Sequence, residues 1–573
     1  MWQAAPPAGQ FIQWEPRPGQ AATEPTEVRF LYDDDNLYIG AICYESDVDN
    51  LRITELNEGF NGTENDGFGI TLDTLKDERS GFFVGTNPAG AKRDMQIAND
   101  GFAMNQDWDG VWDVRVTVNG EAWIAEFVIP LKTLRFARSG LQEWGLNMVR
   151  RVRRKSEDSH WSPLPRRYRV NRISMTGTLE VVEVGSQGPN LKVKPFVTTA
   201  FSQIRRDGTS DNDMDFDGGL DVKYGATSSL TLDLTYRTAF SQVEADQQQV
   251  NLTRFSLFFP EKREFFLENT GIFGFGQPLN RFGGGGFRGG GDLIPFFSRR
   301  IGLDSGNLVP IVGGARLTGQ VGSYDLGTLA MKTESLDGTP SNNFLVGRLK
   351  KNIFGNLWIG AIVTNRDSTD PEDYNRLYGI DSRLRLLQKL EIGSYLLESD
   401  TPGEEGQNRA QQFETAWLGD DLTVTAGYFE AQKNFNPEMG FMPRGDIEKY
   451  SGNINWRPRI NNHGIRNVFF GGRVDYLESS SLDEMETRRQ TFTGGIGFLN
   501  NAFFNFNVNR GFERLAEPFD IRDDIEMPAG DYHFNDINIF YNSDRSKAIG
   551  GNIFVNFGDF WNGTRSPSEA SWP

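Results

Sequence analysis

The chain has 573 residues, with 78 Asp and Glu against 59 Lys and Arg, for a formal net charge of −19. Such acidity argues against a nucleic-acid partner, because nucleic-acid binders present a basic face. The single cysteine, Cys43, excludes an intrachain disulfide, and three widely separated histidines (His160, His463 and His533) make a histidine-rich metal site improbable.

Residues 1–185 predict an antiparallel β-sandwich, because short strand candidates bounded by turn residues follow one another at regular spacing. These candidates are Val28–Tyr32, Leu37–Tyr44, Gly67–Asp73, Phe82–Asn87, Val111–Asn119, Ala122–Pro130 and Trp144–Val152. The acidic turn formed by Asp33, Asp34 and Asp35 could bind a structural calcium ion through its carboxylates, and a solvated turn is the alternative. No other cofactor is expected.

Tryptophan is dense in this first domain, with Trp108, Trp112, Trp123, Trp144 and Trp161. An exposed aromatic face suits sugar rings, with polar neighbours supplying hydrogen bonds. Core packing is the alternative, and it is favoured for Trp112 and Trp123, which sit within strand patterns. The predicted carbohydrate-binding residues are Trp108, Trp112, Trp161 and Asn147.

Residues 190–573 predict a large transmembrane β-barrel of about sixteen or more strands. Segments of roughly ten residues alternate apolar and polar side chains, as in Leu230, Leu232, Leu234 and Tyr236 against the polar residues between them. No apolar run is long enough for a transmembrane helix. Strands can cross lipid only as a closed barrel, since every backbone polar group needs a partner there. A large soluble all-β protein, which also alternates, is the alternative.

The connections between these strands alternate in length, as they do in outer-membrane barrels, which have short periplasmic turns and longer external loops. The predicted tight turns are Gly225–Ser229, Gly319–Ser323, Phe354–Asn356, Leu387–Lys389, Gly419–Asp421 and Asn500–Asn501. The predicted longer loops are Asp207–Asp215, Asn365–Tyr374, Asp400–Asn408, Lys433–Lys449 and Arg514–Asp531. This order predicts that the first domain is periplasmic unless it enters the lumen.

The longest connection, residues 241–307, is called the long loop here. A long loop with its own motif is usually functional, and we predict that this one folds into the lumen and narrows or plugs it. An ordered external loop is the alternative. Charged residues would pair with one another or with lumen charges, and four phenylalanines would form a small core. The residues of this lumen motif are Arg254, Phe258, Phe259, Pro260, Glu261, Lys262, Arg263, Phe265, Phe266, Glu268 and Asn269.

Both ends of the chain suggest that a longer parent exists. No basic, apolar, small-residue signal peptide precedes the first domain, although an outer-membrane protein needs an export signal. A count of about seventeen strands is odd, where bacterial single-chain barrels are usually even. We therefore expect further sequence at the N-terminus, including the first strand of the first domain, or a signal removed before numbering began. We also expect further sequence at the C-terminus, with a miscounted strand as the alternative.

Several motifs resemble known families. Residues 26–40, with Tyr32-Asp33-Asp34-Asp35-Asn36-Leu37-Tyr38, resemble the opening of a family 9 carbohydrate-binding-module-like domain, and Trp108-Asp109-Gly110-Val111-Trp112 and the stretch from Trp144 to Pro163 continue the match. Residues 254–269 resemble the signature of domain-of-unknown-function family 5916. That family joins such a domain to an outer-membrane barrel and has no assigned catalytic residues.

The resemblance implies a non-catalytic bacterial outer-membrane protein, whose partners are outer-membrane lipid and a glycan or peptidoglycan. The leading hypothesis is glycan-linked transport or surface capture. A barrel-anchored structural or assembly protein, with an unknown partner protein, is the first alternative. The second is a carbohydrate-binding protein associated with xylan hydrolysis, although no pair of catalytic carboxylates is singled out.

Overall fold

The protein is all-β with almost no helix. The computed structural model describes residues 2–571, except for 102, 107, 137–139, 185–190, 207–208, 228, 239–250, 252, 277, 280–290, 305–306, 337, 355, 523–524, 545–549, 562 and 566–568. Most of the glycine-rich tract of the long loop therefore lies outside the described residues. Among the described residues, no helix is long and apolar enough to cross a membrane.

Two antiparallel sheets form the first domain. The larger sheet contains Ile12–Glu15, Glu157–His160, Gly140–Val152, Gly67–Asp73, Gly81–Thr86, Lys92–Ala98, Ala103–Asn105 and Gly177–Val184. The smaller sheet contains Thr26–Tyr32, Asn36–Tyr44, Ala122–Pro130 and Asp113–Val118. Lys92–Ala98 was not among the expected strands, because its polar residues hide the alternation.

The core of this sandwich lies between the two sheets. Residues of Asn36–Tyr44 alternate between buried and half-buried, as a strand with one face on a core should. Its buried side chains Leu37, Ile39 and Ala41 pack in one cluster with Phe127 of the same sheet and Ile70 of the facing sheet. The central strands Gly67–Asp73 and Gly81–Thr86 are buried along their whole length.

In the second part of the chain, the described residues form one antiparallel sheet of 20 strands. Its strands are Leu191–Arg206, Thr209–Gly225, Leu230–Tyr236, Ile311–Val321, Tyr324–Thr333, Asn342–Asn352, Leu357–Ser368, Tyr374–Leu386, Leu390–Asp400, Arg409–Leu418, Leu422–Ala431, Ile447–Trp456, Arg459–Asn462, Ile465–Ser479, Met485–Phe498, Phe503–Leu515, Gly530–Asn542, Asn552–Phe560, Gly563–Arg565 and Glu569–Ser571. Arg459–Asn462 and the last two are short. No pairing joins the two ends of this path in the described part of the chain.

Short additional elements lie outside this sheet. Two small hairpins pair Leu303–Asp304 with Asn307–Leu308, and Phe519–Arg522 with Ile525–Met527. Among the described residues, the α-helical turn is Glu264–Leu267, and the 3₁₀ turns are Trp2–Ala4, Val48–Asn50, Leu131–Thr133, Arg153–Lys155, Ile173–Met175, Thr270–Phe273 and Ser298–Arg300. The helical turns at 264–273 and 298–300 lie in the long loop.

The large sheet has an apolar outer face and a polar inner face. On the strand Leu230–Tyr236, Leu234 and Tyr236 are 41% and 54% exposed, whereas the polar residues Thr231 and Asp233 are 6% and 4% exposed. The same inversion repeats at Ile380, which is exposed, beside the buried Asp381. A soluble sheet buries its apolar face, so this reversed polarity identifies the wall of a transmembrane β-barrel.

The lengths of the connections agree with the predicted alternation, with one exception. Short turns join Gly225 to Leu230, Val321 to Tyr324, Leu386 to Leu390 and Leu418 to Leu422. We call this side of the barrel the short-turn end. The loop expected at Asp207–Asp215 is wrong, because the flanking strands stay paired until Arg206 faces Thr209. These two strands pair although many of their residues are polar, so the composition of this segment resembled that of a loop.

Replacing Ile380 with arginine tests which face meets lipid. Ile380 lies midway along Tyr374–Leu386, so a guanidinium there should cost about 2–4 kcal/mol in a bilayer. Ile380→Arg should fold less well into lipid vesicles, as measured by heat-modifiable gel mobility. Leu387→Arg, at an 80% exposed turn residue, is the control and should fold like the parent. Equal folding of the two variants would contradict a lipid-facing outer surface.

Candidate functional site

The described part of the long loop passes through the inside of the barrel. Near its start, the Arg254 guanidinium donates to Glu513 at 3.1 Å, close to the end of the strand Phe503–Leu515. Further along, Glu264 pairs with Lys194, close to the start of Leu191–Arg206. These wall residues lie at opposite ends of the barrel. The loop therefore descends from the long-loop end to the short-turn end, as the sequence predicted for a lumen-filling segment.

The lowest part of the loop touches both the wall and the first domain. Glu268 forms ion pairs with Arg135 of the first domain and with Lys223 of the wall. The Asn269 side chain accepts a hydrogen bond from Gln96 of the first domain at 3.0 Å and donates one to Thr318 of the wall at 2.9 Å. These two adjacent loop residues join all three parts of the molecule.

Two further amides of the first domain bind the loop backbone. Asn105 Nδ2 donates to the Leu267 carbonyl at 3.0 Å, and Asn99 Nδ2 donates to the Gly271 carbonyl at 3.1 Å. Both amides sit at the edge of the larger sheet that ends with Lys92–Ala98 and Ala103–Asn105. This edge of the sandwich therefore faces the loop inside the barrel.

The charged part of the lumen motif is largely satisfied within the loop. The buried Arg263 guanidinium pairs with Glu261 at 2.7 Å and donates to the carbonyls of Ile301 and Ser298, both at 2.8 Å. Burial alone would raise the pKa of Glu261, but hydrogen bonds and the charge of Arg263 lower it below its usual value. The Lys262 backbone N–H also donates to Glu261. This network joins the descending and returning halves of the loop.

The four phenylalanines of the motif do not form the single core that was expected. Phe265 and Phe266 lie in the helical turn and pack on inner-wall residues such as Leu329 and Val346. Phe258 instead packs against Phe297 and Phe441, with ring centroids 5.0 and 5.3 Å apart.

The remaining phenylalanine lies apart from both groups. Phe259 lies under the Arg299 guanidinium, which also donates to the Pro260 carbonyl at 3.0 Å. The phenylalanines of the motif therefore contact three different sets of neighbours.

The returning half of the loop is fixed to the wall by a buried ion pair. Arg348 and Asp381, neither of them exposed, bind each other through two hydrogen bonds of 2.7 and 2.8 Å. Arg348 also donates to the Gly274 carbonyl, and Asp381 accepts from the Gly276 N–H, each at 3.0 Å. The pair spans the intervening strand at Gly360, where a Cβ would lie 2.5 Å from both side chains.

Other charged residues of the wall also form ion pairs or hydrogen bonds. Arg316 pairs with its cross-strand neighbour Asp233 at 2.8 Å. Glu414 accepts the backbone N–H of Leu279 at 2.9 Å, and Lys449 pairs with Asp292 at 2.6 Å. Loop groups thus supply partners for inner-wall charges, because an unpaired charge in a desolvated lumen is costly.

The first domain lies against the short-turn end of the barrel. Arg166 and Arg167 pair with Asp421 and Asp420 of one turn at 3.1 and 3.0 Å. On another turn, Asp77 accepts a hydrogen bond from Gln320 at 2.7 Å, and Arg79 pairs with Asp325. The domain therefore covers the opening that the short turns surround.

Between the domain, the loop and the wall remains a cavity of about 1030 Å³. Its lining mixes phenylalanines of the loop with charged side chains of the wall, including Glu414, Lys449, Arg473 and Asp475. This volume lies at the upper limit of ~300–1,000 Å³ for small-ligand sites. Loop, wall and first domain thus line one chamber inside the barrel, with both apolar and charged groups on its surface.

The four predicted carbohydrate-binding residues mostly hold the first domain together. Trp112 is buried, stacks on Phe127 at 5.9 Å and donates from Nε1 to Asp94 at 2.9 Å. Trp108 and Trp161 each pack against the core with part of the ring. Asn147 is buried, and its amide binds the backbone of Ser162. A sugar-binding role for these four residues stays a prediction.

In the acidic turn, one carboxylate is hydrogen-bonded by neighbouring groups of the same segment. The carboxylate of Asp33 accepts the N–H groups of Asp35 and Asn36 and the Tyr38 hydroxyl. These hydrogen bonds lower the pKa of Asp33. Among the described residues, no group of three or more His, Cys, Asp or Glu side chains could hold a metal ion. Binding of a structural calcium ion by this turn stays a prediction.

Residues 189–306 match the family described as Domain of unknown function (DUF5916). The matched range contains the whole lumen motif, so the resemblance of residues 254–269 to that family is confirmed. The resemblance of the first domain to family 9 modules stays a prediction. No curated protein matches the chain.

Solved structures with similar folds include outer-membrane barrels. The chain is 11% identical to a BenF-like porin from Pseudomonas fluorescens Pf-5, covering 67% of this chain and 97% of that one at a TM-score of 0.28. The P pilus usher (PapC) translocation pore is 10% identical, covering 88% of this chain and 98% of that one at a TM-score of 0.28. A putative carbohydrate-binding protein from Bacteroides uniformis ATCC 8492 is 14% identical, covering 31% of this chain and 87% of that one at a TM-score of 0.27. The fold described above rests on the strand pairing of this chain itself.

Replacing Arg348 with methionine tests the anchoring of the loop. The change leaves Asp381 buried and unpaired, so unfolding in detergent should become easier by about 3–5 kcal/mol. The double variant Arg348→Met/Asp381→Leu removes both charges and should recover most of this loss. The control Arg409→Met breaks a pair in which both side chains are at least half exposed and should change stability by less than about 1 kcal/mol. Equal melting of Arg348→Met and the control would contradict a buried anchor.

Proposed function

We propose that this chain is a non-catalytic protein of the bacterial outer membrane that acts in glycan-linked transport or capture through a gated barrel. The observation that carries the proposal is the position of the long loop. Its described part lies inside the lumen and is held at its lowest point by the first domain, through Glu268 and Arg135. A barrel of this size is otherwise wide enough for an aqueous channel.

The orientation follows from the short turns. In outer-membrane barrels short turns face the periplasm, and the first domain contacts this end through Arg166 and Arg167. The proposed arrangement therefore has a periplasmic domain that resembles carbohydrate-binding modules and lies beneath the lumen. Movement of that domain would release the loop and open the chamber to the periplasm.

A second candidate is a barrel-anchored structural or assembly protein. The same closed lumen favours it, because domain, loop and wall are joined by continuous polar contacts and need not separate. In this case the domain would hold peptidoglycan or a partner protein at the membrane surface, and no solute would cross. The two candidates differ in whether weakening the contact between domain and loop allows flux.

Arg135→Gln separates these candidates. The change removes a charge-assisted contact worth about 1.5–3 kcal/mol between the first domain and the loop, while Lys223 still pairs with Glu268. If the domain gates the lumen, efflux of a neutral oligosaccharide from proteoliposomes should rise by roughly tenfold. Arg115→Gln, at an exposed residue of the first domain, is the control. An efflux equal to that of the control would favour the anchored assembly protein.

A further inference from the structure

A second cavity, of about 980 Å³, lies where the first domain meets the barrel. The first domain contributes Trp14 and the segment from Arg166 to Arg172, and the barrel contributes the turn at Asp420 and residues around Arg457 and Arg466. Met104 and Asn453 line both this cavity and the chamber in the lumen. The two spaces therefore adjoin.

The walls of this junction cavity carry excess positive charge, in a chain whose net charge is −19. Eight arginines and six carboxylates line it. Several carboxylates already bind arginines: Asp100 pairs with Arg172 at 2.8 Å, and Asp420 pairs with Arg167 at 3.0 Å. These internal pairs do not neutralise the whole group.

Three arginines remain without a carboxylate within ion-pair distance in the described part of the chain. They are Arg169, Arg457 and Arg466. As whole residues Arg169 and Arg457 are exposed, while partial burial of their guanidinium groups lowers the pKa of each. Arg166, Arg466 and Arg169 act on Arg457 by like-charge repulsion, and Glu15, which itself pairs with Arg459 at 2.8 Å, attracts it. Bringing these cations together is unfavourable unless an anion joins them, and guanidinium is well suited to carboxylate and phosphate groups.

Uncharged groups hold the side chains of these arginines in place. Arg169 lies 5.3 Å from the ring centre of Trp14, and Arg457 lies 5.3 Å from that of Phe469. Arg166 donates to the Arg457 carbonyl at 2.9 Å, and Arg466 donates to Asn501 at 2.8 Å. Such contacts hold the cations in place without neutralising them.

Amide side chains complete the lining. Asn453, Asn455, Asn467 and Asn501 face the same cavity from the barrel. Each amide can donate and accept hydrogen bonds, which suits hydroxyl groups. Fixed cations among amides and an aromatic ring match a ligand that carries both negative charge and many hydroxyls.

We propose that the junction cavity binds an acidic saccharide, with Arg169 and Arg457 on its carboxylate groups and the asparagines on its hydroxyls. This assignment rests on the proposed glycan-linked function and names its ligand class. The ligand would be held next to the lumen chamber, at the contact between the first domain and the barrel. A bound ligand would connect the first domain to the barrel, because it would contact Arg169 of the one and Arg457 of the other.

Calorimetric titration of the full chain in detergent tests the assignment. The probes are trigalacturonate, its neutral methyl ester and inorganic phosphate at one ionic strength. Trigalacturonate should bind more tightly than either of the others. Arg169→Gln/Arg457→Gln should weaken its binding about a hundredfold, while Arg115→Gln leaves it unchanged. Arg457→Lys keeps the charge, so it should bind within about tenfold of the parent if the cavity folds correctly.

Other outcomes overturn the assignment in distinguishable ways. If the ester binds as tightly as the acid and the glutamine variants bind like the parent, the acidic class is wrong but a glycan-linked function stands. Phosphate binding as tight as that of trigalacturonate would make the cavity a simple anion site. Binding of no saccharide at all also overturns the assignment, and the efflux of Arg135→Gln then decides the proposed function by itself.

Discussion

Every charge on the inner wall of this barrel needs a partner once the lumen is filled, and the structure depends on that requirement. Arg348 and Asp381 show it most clearly, since both are fully buried and both also bind the backbone of the loop. A buried ion pair is weak evidence for stability by itself, but losing one partner is strongly unfavourable. The pair therefore fixes where the loop lies.

The same requirement extends from the wall to the first domain. Glu268 meets Lys223 of the wall and Arg135 of the domain, so the loop and the sandwich share one carboxylate. Several charges of the inner wall are thus bound by groups of the loop. A porin leaves such a surface to solvent, whereas here the polar face is used to bind two other parts of the same chain.

The sequence predicted the sandwich, the barrel wall and the loop inside the lumen, because each has a local signal. Period-two alternation marks strands such as Leu230–Tyr236, and the charged and aromatic motif at 254–269 marks the loop. Asn365–Tyr374 and the other polar connections were correctly placed, but 207–215 resembled a loop although its strands continue. Arg348, Asp381 and Gly360 had no local signal, since they lie on three different strands and meet only in the folded barrel.

The junction cavity was also hidden in the sequence. Arg169 and Arg457 are nearly 300 residues apart, and neither lies in a motif, so nothing local indicates that they share a cavity. Conversely, Trp112 and Asn147 looked like ligand-binding residues, but folding places them inside the sandwich. Residue type alone could not indicate that these two side chains are buried.

Single-channel conductance in planar bilayers tests most directly whether the loop closes the lumen. The parent should insert without stable openings of porin size, because the loop and the first domain occupy the pathway. Phe265→Ala/Phe266→Ala, which weakens the packing of the helical turn on the wall, should produce discrete openings. Large stable openings in the parent, unchanged in this variant, would contradict a lumen closed by the loop.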